Sequence, residues 1–133
     1  MDVVIFACVH SAGRSQMAAA FFRALVDPSR ASATAAGTAP AARVHPVVVD
    51  AMREVGIELQ DARPRLLTDE LARGASVLVT MGCGEQCPVV PGLARDDWEL
   101  PDPKGRSLDE VRVIRDQVRA RVEGLVDARG WRR

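Results

Sequence analysis

Two short, unbroken apolar runs constrain this chain more than any other feature. Residues 3–6 read Val-Val-Ile-Phe and residues 76–81 read Ser-Val-Leu-Val-Thr-Met. Both are short, rich in β-branched side chains and free of polar alternation. Such runs suit strands covered on both faces, as in a parallel sheet with helices packed above and below it. Helical spacing fills much of the interval between them. Ala18, Ala19, Phe22, Leu25 and Val26 recur on one face of a helix that starts near Ser15 and ends at Pro28. A weak strand is expected over 32–36, closed by Gly37. Pro46 opens a second helix with Val48, Ala51, Met52 and Val55 on its apolar face and Gly56 at its C-terminal end. Thr68 caps a short helix through Leu71.

Residues 82–97 read mostly as a long loop, dense in Gly, Pro and Cys, of a length that tends to carry function. Ser107 and Glu110 then form a capping box. The last helix follows, with Leu108, Val111, Ile114, Val118, Val122 and Leu125 on one face. Arg112, Arg115, Arg119 and Arg121 fall largely off that face and are expected as solvated surface. Strands alternating with helices predict one doubly wound α/β domain over 1–133. In such sheets ligands bind beyond the carboxyl ends of the strands. Cys8 lies at one such end, and Cys83 just past another.

Charge narrows the choice of partners. The chain of 133 residues carries 18 basic and 18 acidic side chains, a formal net charge of zero. No global field draws it to nucleic acid or to an anionic membrane, so any bound anion must be caught by a local site. No apolar run approaches the roughly 18 residues of a membrane helix. An acid, Asp2, precedes the first apolar run where a signal peptide would carry basic residues. A cytoplasmic location, where thiols stay reduced, is the expectation. The cysteines are Cys8, Cys83 and Cys87. Their odd number argues against a disulfide framework, and the lack of a tight CxxC pair argues against structural zinc. No metal site is expected.

The loop Cys8-Val9-His10-Ser11-Ala12-Gly13-Arg14-Ser15 joins the first strand to the first helix. Its main-chain N–H groups between residues 9 and 15 can turn inward as an anion nest. The helix start behind it adds a positive end. Arg14 offers a planar fork that matches two oxygens of a tetrahedral anion, and Gly13 is expected to let the backbone curve tightly. A field that binds an anion also favours a thiolate at Cys8, to which the Ser15 hydroxyl can donate. The loop therefore holds an oxyanion and presents sulfur to its central atom. His10 is expected to face solvent, His45 to lead into the helix at Pro46, and Trp98 to serve as packing.

The segment VVIFACVHSAGRSQMAAAFF resembles the phosphate loop and first helix of the low-molecular-weight protein tyrosine phosphatase superfamily, and within it the arsenate reductases. HPVVVDAMREVGIEL, VLVTMGCGEQCPVVPG and DDWELPDPKGRSLDEVRVIRDQV continue the likeness, in the family's order, over most of the chain. The resemblance implies a four-stranded parallel sheet flanked by helices. It also implies reduction of arsenate to arsenite at Cys8, with Arg14 binding the anion, Asp102 as general acid and Cys83 as resolving cysteine. The chemistry fits, because hydroxide leaves an oxyanion centre poorly until a carboxylic acid protonates it. Asp96, Asp97 and Glu99 are nearby alternatives for that acid. A second thiol then attacks the sulfur of Cys8, arsenite departs and a disulfide remains.

Three positions depart from the family pattern. Only Gly84, Glu85 and Gln86 separate Cys83 from Cys87, fewer residues than in the thioredoxin-coupled enzymes. A relay from Cys8 through Cys83 to Cys87 stays open, since one helical turn brings the two Cβ atoms to about 5–6 Å and the glycines allow adjustment. MGCGEQCP is equally similar to the mycothiol-linked branch, in which a small thiol attacks the adduct directly. The implied reductant is external, thioredoxin or mycothiol with mycoredoxin (or glutathione with a glutaredoxin-like partner), and no cofactor is bound. Ser11 stands where the family often has an Asn that braces the loop. Ala19 replaces a Glu that helps some members bind potassium, so no potassium site is expected. The alternative activity is a phosphatase acting on phosphotyrosine or a small phosphoester with the same Cys8, Arg14 and Asp102. The absence of Tyr and the scarcity of other aromatic residues lean toward the inorganic anion.

Overall fold

The computed structural model describes residues 1–82 and 91–133. Four parallel strands form one sheet in the order β2-β1-β3-β4. They are β1 (Asp2–Cys8), β2 (Ala31–Gly37), β3 (Val77–Thr80) and β4 (Ala94–Asp97). The helices are α1 (Arg14–Leu25), α2 (Pro46–Arg53), α3 (Asp69–Arg73) and α4 (Leu108–Arg129). Register aligns the carboxyl ends of the strands, with Cys8 opposite Gly37, Ala7 opposite Thr80, and Thr80 opposite Asp97. The loop that begins at Cys8 therefore leaves the sheet between two neighbouring strands, at the point where the chain order reverses.

The strict alternation of a strand sorts β1 between two apolar layers. Val4, Phe6 and Cys8 face the larger core shared with α1, α2 and α4. Ile5 and Ala7 face a smaller one with Ala36, Leu67 and Leu78, closed over by Leu71 of α3. All four residues of β3 are buried. This accounts for the unbroken apolar runs: beyond Val3 neither face of β1 meets water, nor does either face of β3.

The local signals hold in detail. Pro46 occupies the first turn of α2. Beyond its end, Gly56 N–H donates to Arg53 O and Ile57 N–H to Met52 O, a Schellman pattern with Gly56 at φ +80°. Thr68 accepts from Leu71 N–H, and both reciprocal bonds of the Ser107–Glu110 capping box are made.

Three expectations are corrected. Residues 94–97 are not loop but the edge strand β4. Its sequence, Ala-Arg-Asp-Asp, carries no apolar alternation because the strand is exposed. Pairing with the buried β3 makes it a strand, and charge on an edge discourages further pairing. Arg115 is not solvated surface. It is 9 % exposed and donates to Ala51 O and to Glu54, tying α4 to the end of α2. Along α4 the buried position after Val122 is Val126 rather than Leu125, which is only partly buried.

Candidate active site

The nucleophile loop is held by its carbonyls. Cys8 O accepts from Thr38 N–H, Val9 O from Ala39 N–H and His10 O from Ala41 N–H. Ser11 O accepts from Gln16 Nε2 at 2.8 Å, Ala12 O from His45 N–H and Gly13 O from Met17 N–H. Every carbonyl from residue 8 to residue 13 is thus engaged. Among the described residues, no acceptor takes the N–H groups of residues 9–15. Main-chain donors need partners, so these groups are open to an acceptor from outside the chain. The segment 38–45, which carries no motif of its own, supplies most of the bracing.

Cys8 is 3 % exposed, at the end of β1, and its Sγ lies 3.1 Å from Ser15 Oγ. With the thiol ionised, the Ser15 hydroxyl donates across that distance. Ser11 and Ala12 are fully buried, whereas Val9 and His10 are partly exposed. The His10 ring sits edge-on to that of His45, with centroids 6.5 Å apart. Burial holds the His45 imidazole below its ordinary pKa, while nearby Asp102 pulls the other way.

Arg14 is the first residue of α1 and is 7 % exposed. Its Nη1 donates to Leu100 O at 2.9 Å, and its Nη2 lies 3.9 Å from Asp102 Oδ2. The structure therefore brings Cys8, Arg14, Ser15 and Asp102 to one end of the sheet. Asp102 is about half exposed, and its Oδ1 accepts from Lys104 N–H at 3.0 Å, so the turn-forming role of an Asp is filled as well. Pro103 anchors this segment: a Cβ on Gly13 would meet Pro103 Cγ at 2.6 Å. Gly13 therefore also admits Pro103, a close approach that its place in the loop does not reveal.

Two of the three alternative acids are engaged on β4. Asp96 accepts from Trp98 Nε1. Asp97 accepts from the Thr80 hydroxyl, which holds its carboxyl below the usual range, and pairs with Arg95. Glu99 is exposed. Trp98 is 3 % exposed and packs on Phe6 with ring centroids 5.7 Å apart. Cys83 and Cys87 lie outside the described residues. Among the described residues no cluster of His, Cys, Asp and Glu is arranged to hold a metal ion, and no helix is long and apolar enough to cross a membrane.

Two contributors escaped the sequence reading. Gln16 is 3 % exposed and bonds into the loop, a polar residue at the head of an apolar stretch (Met-Ala-Ala-Ala-Phe-Phe) that had to be buried with it. Gly82 lies against the Arg14 guanidinium. Its signal is the left-handed turn that a Met-Gly step permits directly after a buried strand.

A strand, an anion-cradling loop, a helix and a Cys-x5-Arg signature at a sheet switch point define a cysteine-based, oxyanion-handling α/β protein. Residues 3–130 match the model of the low molecular weight phosphotyrosine protein phosphatase family, and the chain belongs to it. Several relatives are named arsenate reductases. Glutaredoxin arsenate reductase of Synechocystis sp. is 35% identical over 129 residues, covering 95% of this chain and 97% of that protein. The thioredoxin-dependent arsenate reductase of Corynebacterium glutamicum is 36% identical with a TM-score of 0.84, over 96% of this chain and 61% of that one, so this chain spans about three fifths of its length. The structure of an arsenate reductase in the phosphate binding state gives 33% identity and a TM-score of 0.82, over 96% of this chain and 98% of that one.

Proposed function

We propose that residues 1–133 form one arsenate reductase domain that converts arsenate to arsenite at Cys8. The observation that carries this is the loop from Cys8 to Ser15, whose N–H groups have no acceptor among the described residues, with Arg14 and Asp102 at the same end of the sheet. In the first step the Cys8 thiolate attacks arsenic and forms an S–As bond. An arsenate oxygen leaves as water, protonated by Asp102, while the loop N–H groups and the Arg14 fork carry the remaining oxyanion charge. In the second step another thiolate attacks the Cys8 sulfur. An S–S bond forms, the electron pair of the S–As bond stays on arsenic, and As(V) leaves as As(III). External thiols then reduce the disulfide.

The aromatic residues favour the inorganic substrate over a phosphotyrosine. All five Phe and Trp side chains, Phe6, Phe21, Phe22, Trp98 and Trp131, are at most 5 % exposed, and the chain has no Tyr. None is free to clamp the face of a substrate ring.

Two sources of the second thiol fit this reading: an internal relay through Cys83 and Cys87, or mycothiol or glutathione acting on the adduct. Either requires a reducing compartment such as the cytoplasm. The test is NADPH consumption with arsenate, in parallel, with thioredoxin and its reductase, with mycothiol and mycoredoxin, and with glutathione and glutaredoxin. Turnover with one system assigns the donor. Arsenate-independent rates in all three, together with hydrolysis of p-nitrophenyl phosphate, would replace the reading with a phosphatase.

A further inference from the structure

Ser11 and Gln16 stand out together. Ser11 is the only non-glycine with positive φ among the described residues, at +51°, and it is fully buried in the middle of the loop. A left-handed backbone is unfavourable for a residue with a Cβ, so something must hold it. Main-chain N–H groups hold the carbonyls of residues 8, 9, 10, 12 and 13. The Ser11 carbonyl alone is held by a side chain, through Gln16 Nε2 at 2.8 Å.

The same nitrogen donates to Arg63 O at 3.1 Å and approaches Ser11 Oγ at 3.4 Å. Carbonyl oxygens only accept, so the amide must present its nitrogen to them, and its two N–H groups match the two carbonyls. Arg63 belongs to a segment that is itself fixed to the sheet. Gly37 N–H donates to Arg65 O and Leu67 N–H to Gly37 O, while Arg65 N–H reaches Ser11 Oγ at 3.4 Å.

We propose that Gln16 is a positioning residue for the oxyanion site: it pins the left-handed Ser11 to the sheet-anchored 63–67 segment and so keeps the loop N–H groups aimed at the anion. It touches no substrate. The proposal rests on the loop being an anion site, and the test separates the two ideas. Inorganic phosphate is titrated against iodoacetamide, with Cys8 alkylation followed by peptide mass spectrometry so that Cys83 and Cys87 do not contribute. Phosphate that fails to protect Cys8 in the parent chain refutes the anion site itself. With protection present in the parent, Gln16→Met, which keeps the volume and removes both donors, is expected to need about tenfold more phosphate, part of the two lost hydrogen bonds reaching the anion through a less well aimed loop.

Glycine adopts the left-handed conformation without a Cβ penalty, so adding Ser11→Gly to Gln16→Met should recover much of that loss. General damage to the core would not respond to this second change. If Gln16→Met alone does not fold, the double variant is expected to fold and bind phosphate. Protection within twofold of the parent in Gln16→Met overturns the proposal. So does a double variant no better than the single one.

Discussion

Gly82 lies so close beneath the Arg14 guanidinium that a Cβ on residue 82 would stand 2.6 Å from Nη1 and 3.2 Å from Cζ. The backbone there has φ +92°, where a side chain is strained in any surroundings. Gly82→Ala should therefore displace the guanidinium from Leu100 O and misaim its fork. We expect phosphate protection of Cys8 and kcat/KM for arsenate to fall about tenfold or more, the size of one misplaced charged hydrogen bond. Stability should drop by about 1–3 kcal/mol from the backbone strain. A chemical melt beside the protection assay checks both, and a variant with parental anion binding would show that the guanidinium simply moves aside.

The Ser15 hydroxyl lies 3.1 Å from the nucleophilic sulfur and can bond to a thiolate without shielding it from substrate. Removing a hydrogen bond to a charged group costs about 1.5–3 kcal/mol. Ser15→Ala should slow alkylation of Cys8 at neutral pH by about an order of magnitude or more, with arsenate turnover falling in parallel. Pseudo-first-order iodoacetamide kinetics measure it directly. Equal rates in parent and variant would leave the hydroxyl a bystander.

Asp102 and Cys8 divide the first step between them, and their variants should differ in kind. Asp102→Asn removes the proton for the departing oxygen while leaving the loop intact. Positioned acids contribute about 10²–10⁴-fold, so turnover should fall within that range while phosphate still protects Cys8 to within a few fold. Asp97→Asn, which loosens only the contacts to Thr80 and Arg95, should turn over nearly as the parent does. Cys8→Ser should abolish reduction yet still bind phosphate, measured by calorimetry. Appreciable turnover by Cys8→Ser would remove the sulfur from the reaction.

How much of this was legible in the sequence varies from residue to residue. The continuous apolar runs disclosed β1 and β3 because a strand buried on both faces leaves a local imprint. Cys8, Arg14 and Ser15 were legible because strand, loop and helix are contiguous. Residues 94–97 were not, since an exposed edge strand is defined by its neighbour's backbone and leaves no pattern of its own. Arg115 was misread as surface because its position on α4 does not reveal that Ala51 O and Glu54 wait across the helix interface. The contact of Gly13 with Pro103 was not legible for a related reason: Pro103 lies ninety residues further along the chain. Contacts of that range leave no spacing to read.

The α2–α4 junction should make stability acid-sensitive in a defined window. Glu54 sits at the end of α2, with Arg112 reaching it at 2.6 Å and Arg115 at 2.9 Å from α4. The bond from Arg112 is the largest influence on its carboxyl, which is lowered from 4.5 to about 2. The unfolded chain thus takes up a proton here before the folded one does. The pair's contribution is complete above pH 4.5, drains away as the pH falls through that value toward 2, and is gone below both. Glu54→Gln should flatten the decline of the urea midpoint between those limits. High salt should weaken the parent's slope only partly, because Arg115 is buried and screened less than a surface charge. The variant carries a cost near neutral pH as well, since Arg115 then keeps Ala51 O and Asp116 but loses its cross-helix carboxylate. Identical midpoint-versus-pH curves for parent and Glu54→Gln would show that the junction is held by its apolar contacts alone.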